Sequence, residues 1–144
     1  MDIREDLTMR KKLSRSEARC EAFKLIFEIN QHKDELDFLF DELMNECPAS
    51  VTSMPYIQGV VTGVMAHEDE LLDEIRKNLA NGWRLERISK VARSVLLLAI
   101  YEIRYVEDVP EKVAINEALE LAKKFDEPDS SAFVNGVLAG VVKK

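Results

Sequence analysis

The segment Val91 to Ile100 is apolar on nearly every face of a helix, with Val91, Ala92, Val95, Leu96, Leu97, Leu98, Ala99 and Ile100 interrupted only by Arg93 and Ser94. A helix of that kind has no face to give to water, so it has to be surrounded by other elements. The rest of the chain supplies amphipathic partners at helical spacing. Ala18, Ala22, Leu25, Ile26 and Ile29 form one stripe, with Phe23 and Phe27 beside it. Leu36, Leu39, Phe40 and Leu43 form a second, and Ile57, Val60, Val61, Val64, Leu71, Leu72, Ile75 and Leu79 a third. Val113, Ile115, Ala118, Leu119, Leu121 and Ala122 make a fourth; Val134, Val137, Leu138 and Val141, with Phe133, close the chain. No segment reads as a strand, and only five glycines and four prolines interrupt the pattern. The expected fold is all-α, with about seven helices.

Local signals place the breaks. Ser14-Arg-Ser-Glu17 fits a capping box, in which Ser14 accepts from the Glu17 amide and Glu17 reaches back. The second helix should run from about Glu35 to Cys47 and stop at Pro48, with a polar link from Ala49 to Ser53 before Met54-Pro55. One helix from Tyr56 to Ala80 would span roughly 37 Å, so a bend is expected at His67 and Glu68, where the apolar stripe lapses. Asn81-Gly82 reads as the close of that segment. A short turn over Leu85 to Ile88 then leads to Ser89 as the cap of the central helix, which should end by Asp108-Val-Pro110. A helix from about Lys112 to Phe125 and a loop from Asp126 to Asp129 precede the last helix, with Asp129 or Ser130 as its cap.

Several classes of chemistry have no residues to carry them. Cys20 and Cys47 are 27 positions apart and read as small core residues. His32 and His67 stand alone, so neither a metal nor a cofactor is expected. The five glycines form no phosphate-cradling loop. Gly59 with Gly63, and Gly136 with Gly140, read as places where another helix backbone comes close. Glu102 and Glu117 are the acids most embedded in apolar helices, and a tie to an arginine such as Arg93 fits them better than a catalytic pair. No catalytic residue is assigned. The longest apolar run, Val95 to Tyr101, has seven residues, against the roughly 20 a membrane span needs. Nothing near Met1 resembles a signal peptide. A cytoplasmic protein with no membrane partner is expected.

The net charge of −7 is unevenly spread. Arg10, Lys11, Lys12, Arg15 and Arg19 face Glu17 alone, whereas Glu28, Asp34, Glu35, Asp37, Asp41, Glu42 and Glu46 face only Lys33. An acidic body with one concentrated basic arm still offers phosphates a landing place. Residues 1–13 therefore read as a flexible basic arm, and 14–144 as a single all-α domain, which the family resemblance given below makes an RNA-binding one. Arg15 and Arg19, four apart, share a helix face. Arg84, Arg87, Lys90 and Arg93 read as an ordinary solvated stripe. Phe125 and Phe133 flank the loop at Asp126 to Asp129, and their periodicity alone reads as core.

The run Val109-Pro-Glu-Lys-Val-Ala-Ile-Asn-Glu-Ala-Leu-Glu-Leu-Ala-Lys-Lys-Phe125, followed by Asp129-Ser-Ser-Ala-Phe-Val-Asn-Gly-Val-Leu138, resembles the NusB family of bacterial transcription antitermination factors. Val91 to Glu102, Asn81 to Arg87 and the Ala18-Arg19 start of the first helix fit the same family, so the resemblance covers about residues 14 to 142. It implies an all-α fold of two packed three-helix bundles and a non-enzymatic role. It also implies binding to boxA-type single-stranded RNA of rRNA leader transcripts, together with the ribosomal protein NusE, in an antitermination complex with RNA polymerase. The RNA surface it implies uses the basic N-terminus and the start of the last helix, hence Arg10, Lys11, Lys12, Arg15, Arg19, Asp129 and Phe133. Phe133 thereby becomes a base-stacking contact, and loss of both Arg15 and Arg19 side chains should weaken RNA binding with little change in melting temperature. The sequence departs from the family pattern at Ser16 and Glu17, where relatives carry further arginines, and at Asp126, where a glycine is usual. Two alternatives remain. One is the NusB-like RNA-binding part of an rRNA cytosine methyltransferase, although the chain ends at Lys144 without a methyl-donor domain. The other is a self-associating helical interaction protein, since some relatives form homodimers.

Overall fold

The computed structural model describes residues 12–29 and 35–143. Seven α-helices are present among them: α1 (Arg15–Ile29), α2 (Leu36–Glu46), α3 (Met54–Ala66), α4 (Glu68–Lys77), α5 (Lys90–Tyr105), α6 (Glu111–Phe125) and α7 (Ser130–Val142). Short 3-10 helices occupy Pro48–Ser53 and Leu85–Arg87, and the described residues include no strand. None of the described helices is long and apolar enough to cross a membrane. The chain divides into two compact units, Met1–Thr62 and Gly63–Lys144, with α3 running from one into the other.

In the first unit α1 begins as its sequence dictates. The Ser14 amide donates to Glu17 Oε1 at 2.8 Å, and the Glu17 amide donates to Ser14 Oγ at 3.0 Å. Two of the amides that a helix start leaves without partners are satisfied reciprocally. The buried face is Ala18, Ala22, Phe23, Leu25, Ile26 and Ile29, together with Arg19. α2 buries only Leu39 and Phe40 and leaves Phe38 60% exposed. The expected polar link after Pro48 is instead a 3-10 helix. Proline at its first position presets φ, and the short side chains that follow tolerate the tighter winding.

In the second unit the long apolar stripe breaks at His67, between α3 and α4. Across the break His67 N–H still donates to Gly63 O and Leu71 N–H to His67 O. It is therefore a bend in one ladder, and acids at Glu68, Asp69 and Glu70 complement the new helix start. α4 ends at Lys77, where the Asn78 side-chain amide donates to Glu74 O at 2.8 Å. Asn81-Gly82 lies beyond that end rather than capping it. Gly82 has φ +89°, a conformation that favours glycine, and turns the chain toward Trp83.

α5 lies at the centre of this unit, in contact with α4, α6 and α7. Ser89 caps it by accepting from the Ala92 amide, and every residue from Ser94 to Ile100 is buried. Each such Leu or Ile contributes about 1.5–3 kcal/mol on burial. Arg104 on α5 donates from Nε and Nη2 to the two Glu74 carboxylate oxygens, at 2.5 and 2.8 Å, and from Nη2 to Val141 O. It thus ties α4 to the end of α7. The glycine pairs serve side chains, not helix backbones. The Tyr101 ring fills the space where a Gly63 side chain would stand, and the Asn78 carboxamide does so at Gly140, while Gly59 and Gly136 face open space.

Candidate nucleic-acid interface

The described residues implicated by sequence fall in two places, one in each unit. In the first, Lys12 and Arg15 are exposed at the start of α1. The Arg15 guanidinium sits 4.2 Å from the centroid of the Tyr56 ring, and that of Arg19 sits 5.8 Å from the same ring. The two arginines do share a helix face, over one aromatic ring of α3, as a four-residue spacing requires. Their access differs sharply. Arg19 is only 2% exposed, so its stem packs as a core side chain, whereas Arg15 keeps its charge at the surface. Arg10 and Lys11 lie outside the described residues.

In the second unit the Trp83 and Phe133 rings lie 5.3 Å apart, centroid to centroid, at 39°. Phe133 is half-buried and Trp83 is 51% exposed, so the pair forms a ridge at the surface. Two grooves share this ridge. The smaller, about 190 Å³, is lined by Arg87, Ser89, Asp126 and Asp129 beside the two rings. The larger, about 470 Å³, lies toward Lys77, Asn78 and Gly136. Phe133 therefore reaches the surface through its position in the first turn of α7, which its apolar periodicity concealed.

Asp129 is exposed and occupies the N-cap position of α7, yet its side chain makes no capping hydrogen bond there. The carboxylate that organises this helix start is Asp126. Its Oδ2 accepts from Ser89 Oγ at 2.6 Å and from Ser130 Oγ at 2.7 Å. Burial pushes the Asp126 carboxyl up, but those hydroxyls and a backbone hydrogen bond at Glu127 hold it below the usual aspartate range. Asp129 is thus left with acceptor oxygens facing the groove side of the loop, free of a capping role.

Arg87, read from the sequence as part of a solvated stripe, lines the smaller groove, while Arg84 and Lys90 stay exposed. Tyr56 and Trp83 were not singled out by sequence, because their partners lie tens of residues away. Glu102 is fully buried and Glu117 half-buried, and neither lines either groove. Among the described residues no group of three or more His, Cys, Asp or Glu could hold a metal ion.

The NusB family model matches residues 16–143. The transcription antitermination protein NusB of Levilactobacillus brevis is 42% identical over 129 residues, which cover 88% of this chain and 91% of that protein. The chain belongs to the NusB family. Solved NusB structures carry the same fold: T. maritima NusB superposes with a TM-score of 0.83 at 32% identity, over 93% of this chain and 94% of the other. A crystal structure of the antitermination factors NusB and NusE in complex with dsRNA superposes with a TM-score of 0.75 at 25% identity, over 90% and 96%.

Proposed function

We propose that this chain is a non-enzymatic transcription antitermination factor of the cytoplasm, with residues 14–144 acting as one RNA-binding domain. It binds boxA-type single-stranded RNA of rRNA leader transcripts together with NusE, within an antitermination complex on RNA polymerase. Lys12 and Arg15, with Arg10 and Lys11 of the preceding arm, neutralise phosphates. Arg19 steadies Tyr56 beneath Arg15. Phe133 stacks on a base, and the Asp129 carboxylate accepts from the amino edge of a base.

The observation that carries this reading is the exposed aromatic ridge beside Arg87 and Asp129, in a chain whose relatives are named for transcription antitermination. Aromatic rings at a surface address bases that are splayed out of a helix, which favours single-stranded over duplex RNA. The family's partnership with NusE is supported here by α2, which exposes Asp37, Asp41, Glu42 and Glu46 together with Phe38. An acidic face of that kind speeds encounter with a basic ribosomal protein.

Electrophoretic shift tests the proposal with boxA-type RNA as a single strand, as a duplex and scrambled, each with and without NusE. The single strand should bind tightest, and NusE should strengthen it. Equal binding of the scrambled strand under both conditions overturns the reading.

A further inference from the structure

The Trp83–Phe133 ridge has two sides, and Asp129, assigned to RNA above, lines the smaller groove alone. The larger groove has features that suit a flat heterocycle. Trp83 lines it and remains 51% exposed. Rings 5.3 Å apart and tilted at 39° leave no room for a base between them, so a base must lie against an outer face. Gly136 removes any obstruction from α7, since even a Cβ there would meet nothing within 4 Å. Lys77, exposed in the last turn of α4, puts an ammonium at the rim, where a phosphate would pass.

We infer that the larger groove holds a base of the same RNA strand, stacked on the outer face of Trp83, so that the strand crosses the ridge with a base on each side. The inference rests on the RNA-binding reading above and extends it by a second nucleotide subsite. Phe133 belongs to both grooves, so one ring pair serves two successive bases. Because every base has a π-face, the Trp83 side contributes affinity with little sequence preference, and selectivity falls to the Asp129 side.

Trp83 is the chain's one tryptophan, so its emission reports on this groove directly. The experiment uses the full chain with NusE and a fluorescently labelled single-stranded boxA-type oligonucleotide, reading anisotropy and indole emission together. Binding should quench Trp83. Gly136→Leu fills the groove from a position that meets no neighbour, so circular dichroism should be unchanged while affinity falls. Trp83→Ala should weaken binding roughly 5- to 150-fold, the range for loss of one base stack, and Trp83→Phe should restore most of it. Lys77→Ala should reduce the slope of log Kd against log salt by about one. If the wild type binds RNA but a folded Gly136→Leu variant binds equally well, the second subsite is wrong and the proposed function stands. Should Gly136→Leu fail to fold, an unaltered salt slope in Lys77→Ala together with unquenched wild-type emission overturns the subsite. A wild type that binds no RNA overturns the proposed function, and the subsite with it.

Discussion

Ser89 donates to the Asp126 carboxylate at 2.6 Å while its hydroxyl accepts the Ala92 amide at 2.9 Å. A cap of α5 is thus joined, across 37 residues, to the loop that enters α7, and Ser130 completes the junction at 2.7 Å on the same oxygen. Here the carboxylate holds in place the stretch that carries Asp129 and Phe133.

That junction should be visible as a pH dependence. The folded Asp126 carboxyl lies below its ordinary value, so its contribution is present above the unfolded pKa of about 3.9 and is lost as pH falls through the lower folded value. In urea denaturation, Asp126→Asn should therefore be less stable than the wild type by a constant margin from pH 7 to about pH 5. Below about pH 4 the margin should shrink. A margin that stays flat into strong acid would show that the carboxylate's charge contributes nothing to this contact.

The capping box makes a simpler case. Ser14→Ala removes the acceptor for the Glu17 amide and should cost about 1 kcal/mol, which for a chain of this size is a few degrees of melting temperature. The readout is thermal unfolding followed by far-ultraviolet circular dichroism. No change would mean that α1 is held by its buried stripe alone.

What the sequence made legible was local. The Ser14–Glu17 box, the Ser89 cap and the bend at His67 depend on residues within a few positions of one another, and each is found where the pattern indicates. The long-range pairings were not legible. Nothing in the chain announces that Tyr56 lies under Arg15, or that Trp83 meets Phe133, because those partners are about 40 and 50 residues apart. Charge also misled at Arg19: periodicity places it on a face with Arg15, but only packing decides that its long stem is buried. The glycines show the same division, since spacing marks a gap and the tertiary fold decides what fills it.

Gly59 and Gly63 should respond to alanine with opposite signs, although they lie four residues apart on α3. At Gly59 an added Cβ meets nothing, so Gly59→Ala should stabilise by about 0.5–1 kcal/mol through helix propensity and a less disordered unfolded chain. At Gly63 the Cβ would collide with the Tyr101 ring, and overpacking of this kind typically costs about 1–3 kcal/mol. Adding Tyr101→Leu to Gly63→Ala should recover part of the loss, a coupling measurable as a double-mutant cycle in urea. Additive effects would place the strain elsewhere.

Arg15 and Arg19 should separate in the same manner, against the expectation that losing both leaves the fold untouched. Arg15 is exposed, so Arg15→Ala should change stability by less than about 0.5 kcal/mol. It should weaken boxA-type RNA binding and lower the slope of log Kd against log salt by about one, the signature of a lost phosphate contact. Arg19 is buried beside the Tyr56 ring, so Arg19→Ala leaves a gap where its stem packed and should lower the melting temperature. Its effect on RNA should then follow from a displaced Tyr56 and Arg15, which weakens binding without a full unit of salt slope. If instead Arg19→Ala melts with the wild type and loses a full unit of slope, Arg19 leaves its buried position to meet a phosphate directly, and its burial describes only the free protein.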